Sequence, residues 1–194
     1  MTEQNTIQKI SYRSEEYNNV ISATSDRGTN DQKMILFLGP YLPHKNKALN
    51  DIKKNSALNI ELVETSEYVS SSFHETKKNL DDLFLDADGN QLFYFLNGDK
   101  LCGVYTGFTQ SKVKYATPQE RYFFEKIKQF QGVVIIDIAN VDAADESLLR
   151  KSDVNISFPM PKSLFSRFLF GLKNYSFHGY NFRTKRPEKY TEQT

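Results

Sequence analysis

Apolar residues along this chain gather into short unbroken runs, separated by stretches in which they recur every three or four positions. The runs Met34-Ile35-Leu36-Phe37-Leu38, Leu92-Phe93-Tyr94-Phe95-Leu96 and Val133-Val134-Ile135-Ile136-Asp137-Ile138 read as strands buried on both faces. Gly39-Pro40 closes the first run. Residues 58–63 alternate and predict a further strand; residues 154–158 predict a fifth, stopped by Pro159-Met160-Pro161. Between the strands lie helical patterns. Ala48, Leu49 and Ile52 share one side of a helix over 45–55, and Leu80, Leu83, Phe84 and Ala87 one side of a helix over 75–87. Thr117-Pro118-Gln119-Glu120 is a helix start with proline in the first turn, followed by Tyr122, Phe123, Ile127 and Phe130 as its apolar face. Short helices are expected over 146–151 and 163–172. Strands alternating with helices predict an α/β fold, a parallel sheet of about five strands with helices on both faces.

Three regions follow from this pattern. Residues 1–32 read as a polar extension in which Ile7, Ile10, Tyr17, Val20 and Ile21 suit a weak amphipathic helix, followed by a loop. Residues 33–173 form the α/β core, and 174–194 a basic and aromatic tail. Charge changes the picture little: 25 Lys and Arg against 24 Asp and Glu call for neither nucleic acid nor an anionic membrane as partner. The single Cys excludes an internal disulfide and, with three His, argues against a thiolate-rich metal site. No apolar stretch approaches the roughly 18 residues that span a bilayer. The first residues lack the basic and apolar blocks of a secretory signal, so a cytoplasmic location is expected.

The candidate chemistry begins where the first strand ends. Gly39-Pro40-Tyr41-Leu42-Pro43-His44-Lys45-Asn46 lies between a strand and a helix, where a phosphate-binding loop would read G-x-x-x-x-G-K-[ST]. The first Gly and the Lys are in register. Further segments carry a wider resemblance. Residues 64–84 are similar to the family segment "SELVSKYVGESEKNLRELF". Leu92-Phe93-Tyr94-Phe95-Leu96-Asn97-Gly98-Asp99-Lys100-Leu101-Cys102-Gly103 is similar to "ILFFDEADALFG". Phe130-Gln131-Gly132-Val133-Val134-Ile135-Ile136 resembles "YEGLVILATN", residues 145–153 resemble "DEAFLRRFD", and Phe158-Pro159-Met160-Pro161 resembles "FPFP". From Met34 to about Leu169 the chain thus resembles the AAA+ ATPases. The likeness is strongest to bacterial members encoded with phage-tail-like contractile injection systems. It implies a P-loop NTPase core like the large AAA+ subdomain.

The departures from that family fall on its catalytic positions. ATP hydrolysis in this class needs backbone N–H groups around the phosphates, a hydroxyl and a strand-end Asp for Mg²⁺, and a carboxylate to position water. Here His44 replaces the second Gly, Asn46 the hydroxyl residue, Leu96 the metal-holding Asp and Asn97 the catalytic Glu, while Pro43 has no N–H. The sensor Asn falls on Ala139, one short of Asn140. About two dozen residues remain where the family's helical lid would begin, too few for several helices of about 11–12 residues, so the lid is expected to be absent.

What survives is weighed residue by residue. Lys45, at a helix start, is expected as a solvated surface lysine, and His44 as an exposed loop histidine. Asp99, the one carboxylate left at this strand end, is expected as a cap or turn residue. Cys102 is expected as a packed thiol. Arg150 aligns with an arginine finger of the family, a group that reaches into a neighbour's ATP site; an ordinary surface ion pair is the competing assignment. In the tail, Tyr175, Phe177, Tyr180, Phe182 and Arg183 suit docking to a protein, or covering surface the lid leaves bare, better than stacking on nucleic acid.

The reading that follows is a pseudo-ATPase without a cofactor: not an enzyme, but a structural or protein-interaction subunit. The expected partner is an active AAA+ ATPase or an injection-system component. The alternatives are a regulator that binds nucleotide without hydrolysing it, and a contributor of Arg150 to a partner's active site.

Overall fold

The computed structural model describes residues 9–25, 32–101, 104–105, 114–144 and 146–163. In chain order the elements are β1 (Lys9–Ser11), α1 (Glu15–Ser25), β2 (Lys33–Leu38), α2 (Leu42–Asn55), β3 (Asn59–Glu64), α3 (Thr65–Tyr68) and α4 (Phe73–Leu85). They continue with β4 (Gln91–Leu96), β5 (Val104–Tyr105), β6 (Lys114–Tyr115), α5 (Pro118–Gln129), β7 (Val133–Ile138), α6 (Glu146–Lys151) and β8 (Val154–Ser157). One sheet holds six of the strands in the order β1-β8-β2-β7-β4-β3, every pair parallel. β5 and β6 pair separately as a two-stranded antiparallel ribbon.

The unbroken apolar runs are explained by this arrangement. Along β2, Met34, Leu36 and Leu38 enter one core while Ile35 and Phe37 enter the other. β7 divides likewise, Val134, Ile136 and Ile138 against Val133 and Ile135. A central parallel strand covered by helices on both faces has no polar side to show. Phe123, Phe124 and Ile127 of α5, Leu80 of α4 and Leu148 and Leu149 of α6 cover the first face. Tyr17 and Ile21 of α1 with Ala48 and Ile52 of α2 cover the second.

Helix starts follow their local chemistry. Ser72 Oγ accepts from the N–H of Glu75 at the head of α4, and Thr117 Oγ1 from Glu120 at the head of α5. Pro118 sits in the first turn of α5, where its missing N–H costs nothing.

Two features differ from the sequence expectation. The sheet has six strands, not about five, because residues counted with a polar extension supply the sixth. β1 lies along β8 with Ile10 opposite Ile156, and α1 buries Tyr17 and Ile21 on the sheet. The cause is that Ile10 alone of the three β1 residues is buried, so no apolar run announces the strand. α2 also begins at Leu42, three residues before the expected start, with Pro43 in its first turn. The chain divides into compact units at Met1–Pro159 and Met160–Thr194, and the sheet belongs to the first. Residues 164–172 of the helix expected over 163–172, Cys102 and the tail residues Tyr175, Phe177, Tyr180, Phe182 and Arg183 lie outside the described residues.

Candidate functional site

In open parallel sheets, ligands bind beyond the carboxyl ends of the strands. Here that end brings together the β2–α2 turn, the end of β4 and the end of β7. Gly39 carries φ +116°, and a Cβ on it would lie 2.5 Å from the carbonyl oxygen of Phe158. Its N–H donates to Ile138 O at 2.9 Å. The glycine is therefore required by the crossing of three backbones, whatever the loop binds.

The donors of the turn can be followed one by one. Tyr41 N–H donates to Phe158 O at 3.4 Å, Leu42 to Pro40 O at 3.0 Å, and His44 and Lys45 to Tyr41 O at 3.2 and 3.5 Å. Pro40 and Pro43 have no N–H. Every main-chain donor from Gly39 to Lys45 is thus directed at a carbonyl of the same chain. A phosphate cradle needs such groups convergent and open toward the ligand. The early start of α2 has wound the turn into helix instead.

Lys45 is the largest correction to the sequence reading. It is not a solvated surface lysine: its side chain is 2% exposed and its ammonium is ion-paired with Asp137 Oδ1 on β7. It also donates to Ile138 O at 3.3 Å. Tyr94 completes the group from β4, its hydroxyl donating to Asp137 Oδ2 at 3.3 Å. Burial pushes the Asp137 carboxyl above the usual carboxylate range, against the opposing pull of Lys45 and Tyr94. Burial, then the neighbouring Asp137 carboxylate, raises the Tyr94 phenol well above its ordinary value.

His44 is likewise not an exposed loop residue. It belongs to the first turn of α2, half-buried, with the ring of Tyr12 4.5 Å away on one side and that of Tyr41 4.5 Å away on another. Its pKa is lowered, first by burial and then by Arg13 and Lys47. Tyr12 comes from the end of β1, so the added strand places an aromatic ring over the turn. Asn46 projects to solvent.

At the end of β4, Leu96 packs its side chain with the apolar cluster that holds Tyr94, and its carbonyl accepts from Thr65 Oγ1 at 2.6 Å. Asn97 adopts φ +55°, a left-handed conformation that Asn tolerates better than most residues. Its amide nitrogen lies 3.0 and 2.9 Å from the two carboxylate oxygens of Glu64. Asp99 accepts from the N–H of Ala139 at 3.1 Å and of Asn140 at 2.8 Å, tying the chain after β4 to the chain after β7. Arg150, in the last turn of α6, is 63% exposed and in an i,i+4 ion pair with Glu146 at 3.0 Å. Leu96, Asn97, Asp99, Gly39 and Lys45 are therefore drawn together, each with an internal partner or a packing role. Asp137, Tyr94, Tyr12 and Glu64 join them and were not singled out from sequence. No group of His, Cys, Asp and Glu able to hold a metal ion occurs among the described residues. Nor, among them, is any helix long and apolar enough to cross a membrane.

No family model matches the chain, and no curated protein matches it. Solved structures do. The crystal structure of the FIGL-1 AAA domain in complex with ADP superposes with a TM-score of 0.50 at 15% identity, over 73% of this chain and 48% of that one. This chain thus spans about half the length of that neighbour. At such identity the likeness shows the fold alone: an α/β, parallel-sheet architecture of the AAA+, P-loop NTPase kind.

Proposed function

We propose that this chain is a pseudo-ATPase, an AAA+-like module that neither holds nor hydrolyses ATP and acts by binding other proteins. The observation that carries this reading is the commitment of Lys45 to Asp137 behind a turn whose main-chain donors are all directed inward. In a working site the lysine is a mobile point charge for phosphate oxygens. Here a nucleotide would have to break a buried ion pair, unwind the first turn of α2 and displace the ring of Tyr12. The metal-side groups add to the case, since Leu96 offers no oxygen from its side chain and the Asn97 amide is held by Glu64.

With chemistry set aside, what remains is a rigid sheet and its surfaces, which suit a structural or interaction subunit. The partner class, an active AAA+ ATPase or a component of a contractile injection system, rests on the sequence resemblance. Titration calorimetry of the purified protein with Mg·ATP tests the nucleotide half. The expected result is no heat of binding at millimolar nucleotide; saturable binding, or phosphate release by the isolated chain, overturns the proposal.

A further inference from the structure

The two outer strands of the main sheet are finished differently. β1 has three residues, with Lys9 and Ser11 exposed on either side of Ile10, a short, charged edge of the kind that resists further pairing. β3 has six residues, and among the described residues it pairs with β4 only. Asn59 donates its N–H to Asn90 O, toward β4. Because backbone groups alternate along a strand, Asn59, Glu61 and Val63 face β4, and the N–H and C=O groups of Ile60 and Leu62 and the N–H of Glu64 face outward, the Glu64 carbonyl being taken up by the first turn of α3.

The two sides of this edge differ in chemistry. On the side of α4 a shallow groove of about 340 Å³ is lined by Glu61, Tyr68, Asp82, Leu83, Asp86 and Ala87, with Gln91 at its end. Its floor is apolar, since Tyr68, Leu83 and Ala87 pack against the core beneath. Three carboxylates border it, and Gln91 holds that of Glu61 at 2.7 Å. On the opposite side of the strand Leu58 and Ile60 lie against the second core, and Leu62 is 38% exposed.

We propose that the β3 edge takes up an extended segment of a partner protein as a seventh strand, one in which basic and apolar residues alternate. The outward N–H and C=O groups supply the ladder. Lys or Arg on one face of the incoming strand meets Glu61, Asp82 and Asp86, and apolar side chains on its other face cover Ile60 and Leu62. Charge selects against a second copy of this same edge, because pairing β3 with β3 brings acidic residues against acidic residues. The inference rests on the protein-binding half of the proposed function and is independent of whether ATP is bound.

The test uses the full chain and a fluorescein-labelled octapeptide of alternating Lys and Val, capped at its carboxyl end, read by fluorescence anisotropy. Four controls accompany it: a block peptide of the same composition, an alternating Glu and Val peptide, and two protein variants. One variant is Glu61→Gln with Asp82→Asn and Asp86→Asn. The other is Leu62→Pro, which removes one outward N–H and is of the kind tolerated at sheet edges. Circular dichroism establishes that both variants fold. The alternating Lys peptide is expected to bind, losing about tenfold or more in affinity on the triple variant and on Leu62→Pro, with neither control peptide competing. Equal binding of the block peptide, or undiminished binding by a folded Leu62→Pro, would show a diffuse charge attraction and overturn strand addition. Absence of binding overturns the inference while leaving the calorimetric test of the proposed function untouched. If Leu62→Pro does not fold, hydrogen exchange of the unmodified protein decides: slowed exchange at Ile60, Leu62 and Glu64 with peptide supports the inference, and unchanged exchange overturns it.

Discussion

Lys45 and Asp137, 92 positions apart in the chain, meet as a buried ion pair between α2 and β7. Taking two charges out of water costs several kcal/mol for each ion, recovered only when the pair and its hydrogen bonds are complete. Ile138 O and the Tyr94 hydroxyl supply that completion. The pair therefore ties the helix that follows the turn to the centre of the sheet.

Breaking one side of the pair leaves the other charge buried. Lys45→Met or Asp137→Leu alone is expected to destabilise the fold by about 3–5 kcal/mol, whereas the double variant lies near the parent or above it. Urea unfolding of the two single variants and the double measures this. A single Lys45→Met variant with unchanged stability would mean that the lysine is solvated after all.

Restoring the carboxylates alone is expected not to restore chemistry. Leu96→Asp with Asn97→Glu returns the acidic pair of the family pattern but leaves the turn wound and Lys45 engaged. It also sets a charge beside the apolar cluster and a second carboxylate against Glu64, in a left-handed position that suits Asn better than Glu. The variant is expected to be less stable by roughly 1–3 kcal/mol and to release no phosphate from Mg·ATP. Sustained turnover would show that the turn is no obstacle.

His44 gives the fold a pH dependence of known sign. Its pKa is lowered in the folded state, first by burial and then by Arg13 and Lys47, so the unfolded chain binds its proton more readily. The neutral ring's contribution is fully present above the unfolded value of about 6.5 and is lost as pH falls through that value toward the folded one. Unfolding midpoints are expected to drop between pH about 7.5 and 5, above the range where most carboxylates titrate, and to drop less in His44→Phe. Equal slopes for the two proteins would remove His44 as the cause.

Much of the fold was legible in sequence because burial on both faces leaves a plain signature. β2, β4 and β7 are nearly continuous apolar runs, and their limits agree with expectation to within a residue. The site was harder to read, although two signals for it were present. Lys45, Ala48 and Ile52 recur at helical spacing, which sets the lysine on the face that α2 buries. Asp137 is the one charge inside the β7 run, and a charge in a buried strand requires a partner. Each is ambiguous alone; their pairing becomes visible only when α2 and β7 are placed side by side. Tyr12 gave no such signal, because its position over His44 depends on β1 finding β8.

That last strand pair carries a consequence for how the molecule is made. Ile10 is synthesised 146 residues before its neighbour in the ladder, Ile156. Among the described residues β8 is the one strand that pairs with β1, and closing so long a loop is entropically slow. The same late segment that receives β1 also supplies the Phe158 carbonyl to which Tyr41 donates, so the β2–α2 turn and the Tyr12 ring that covers it are completed by one stretch of chain.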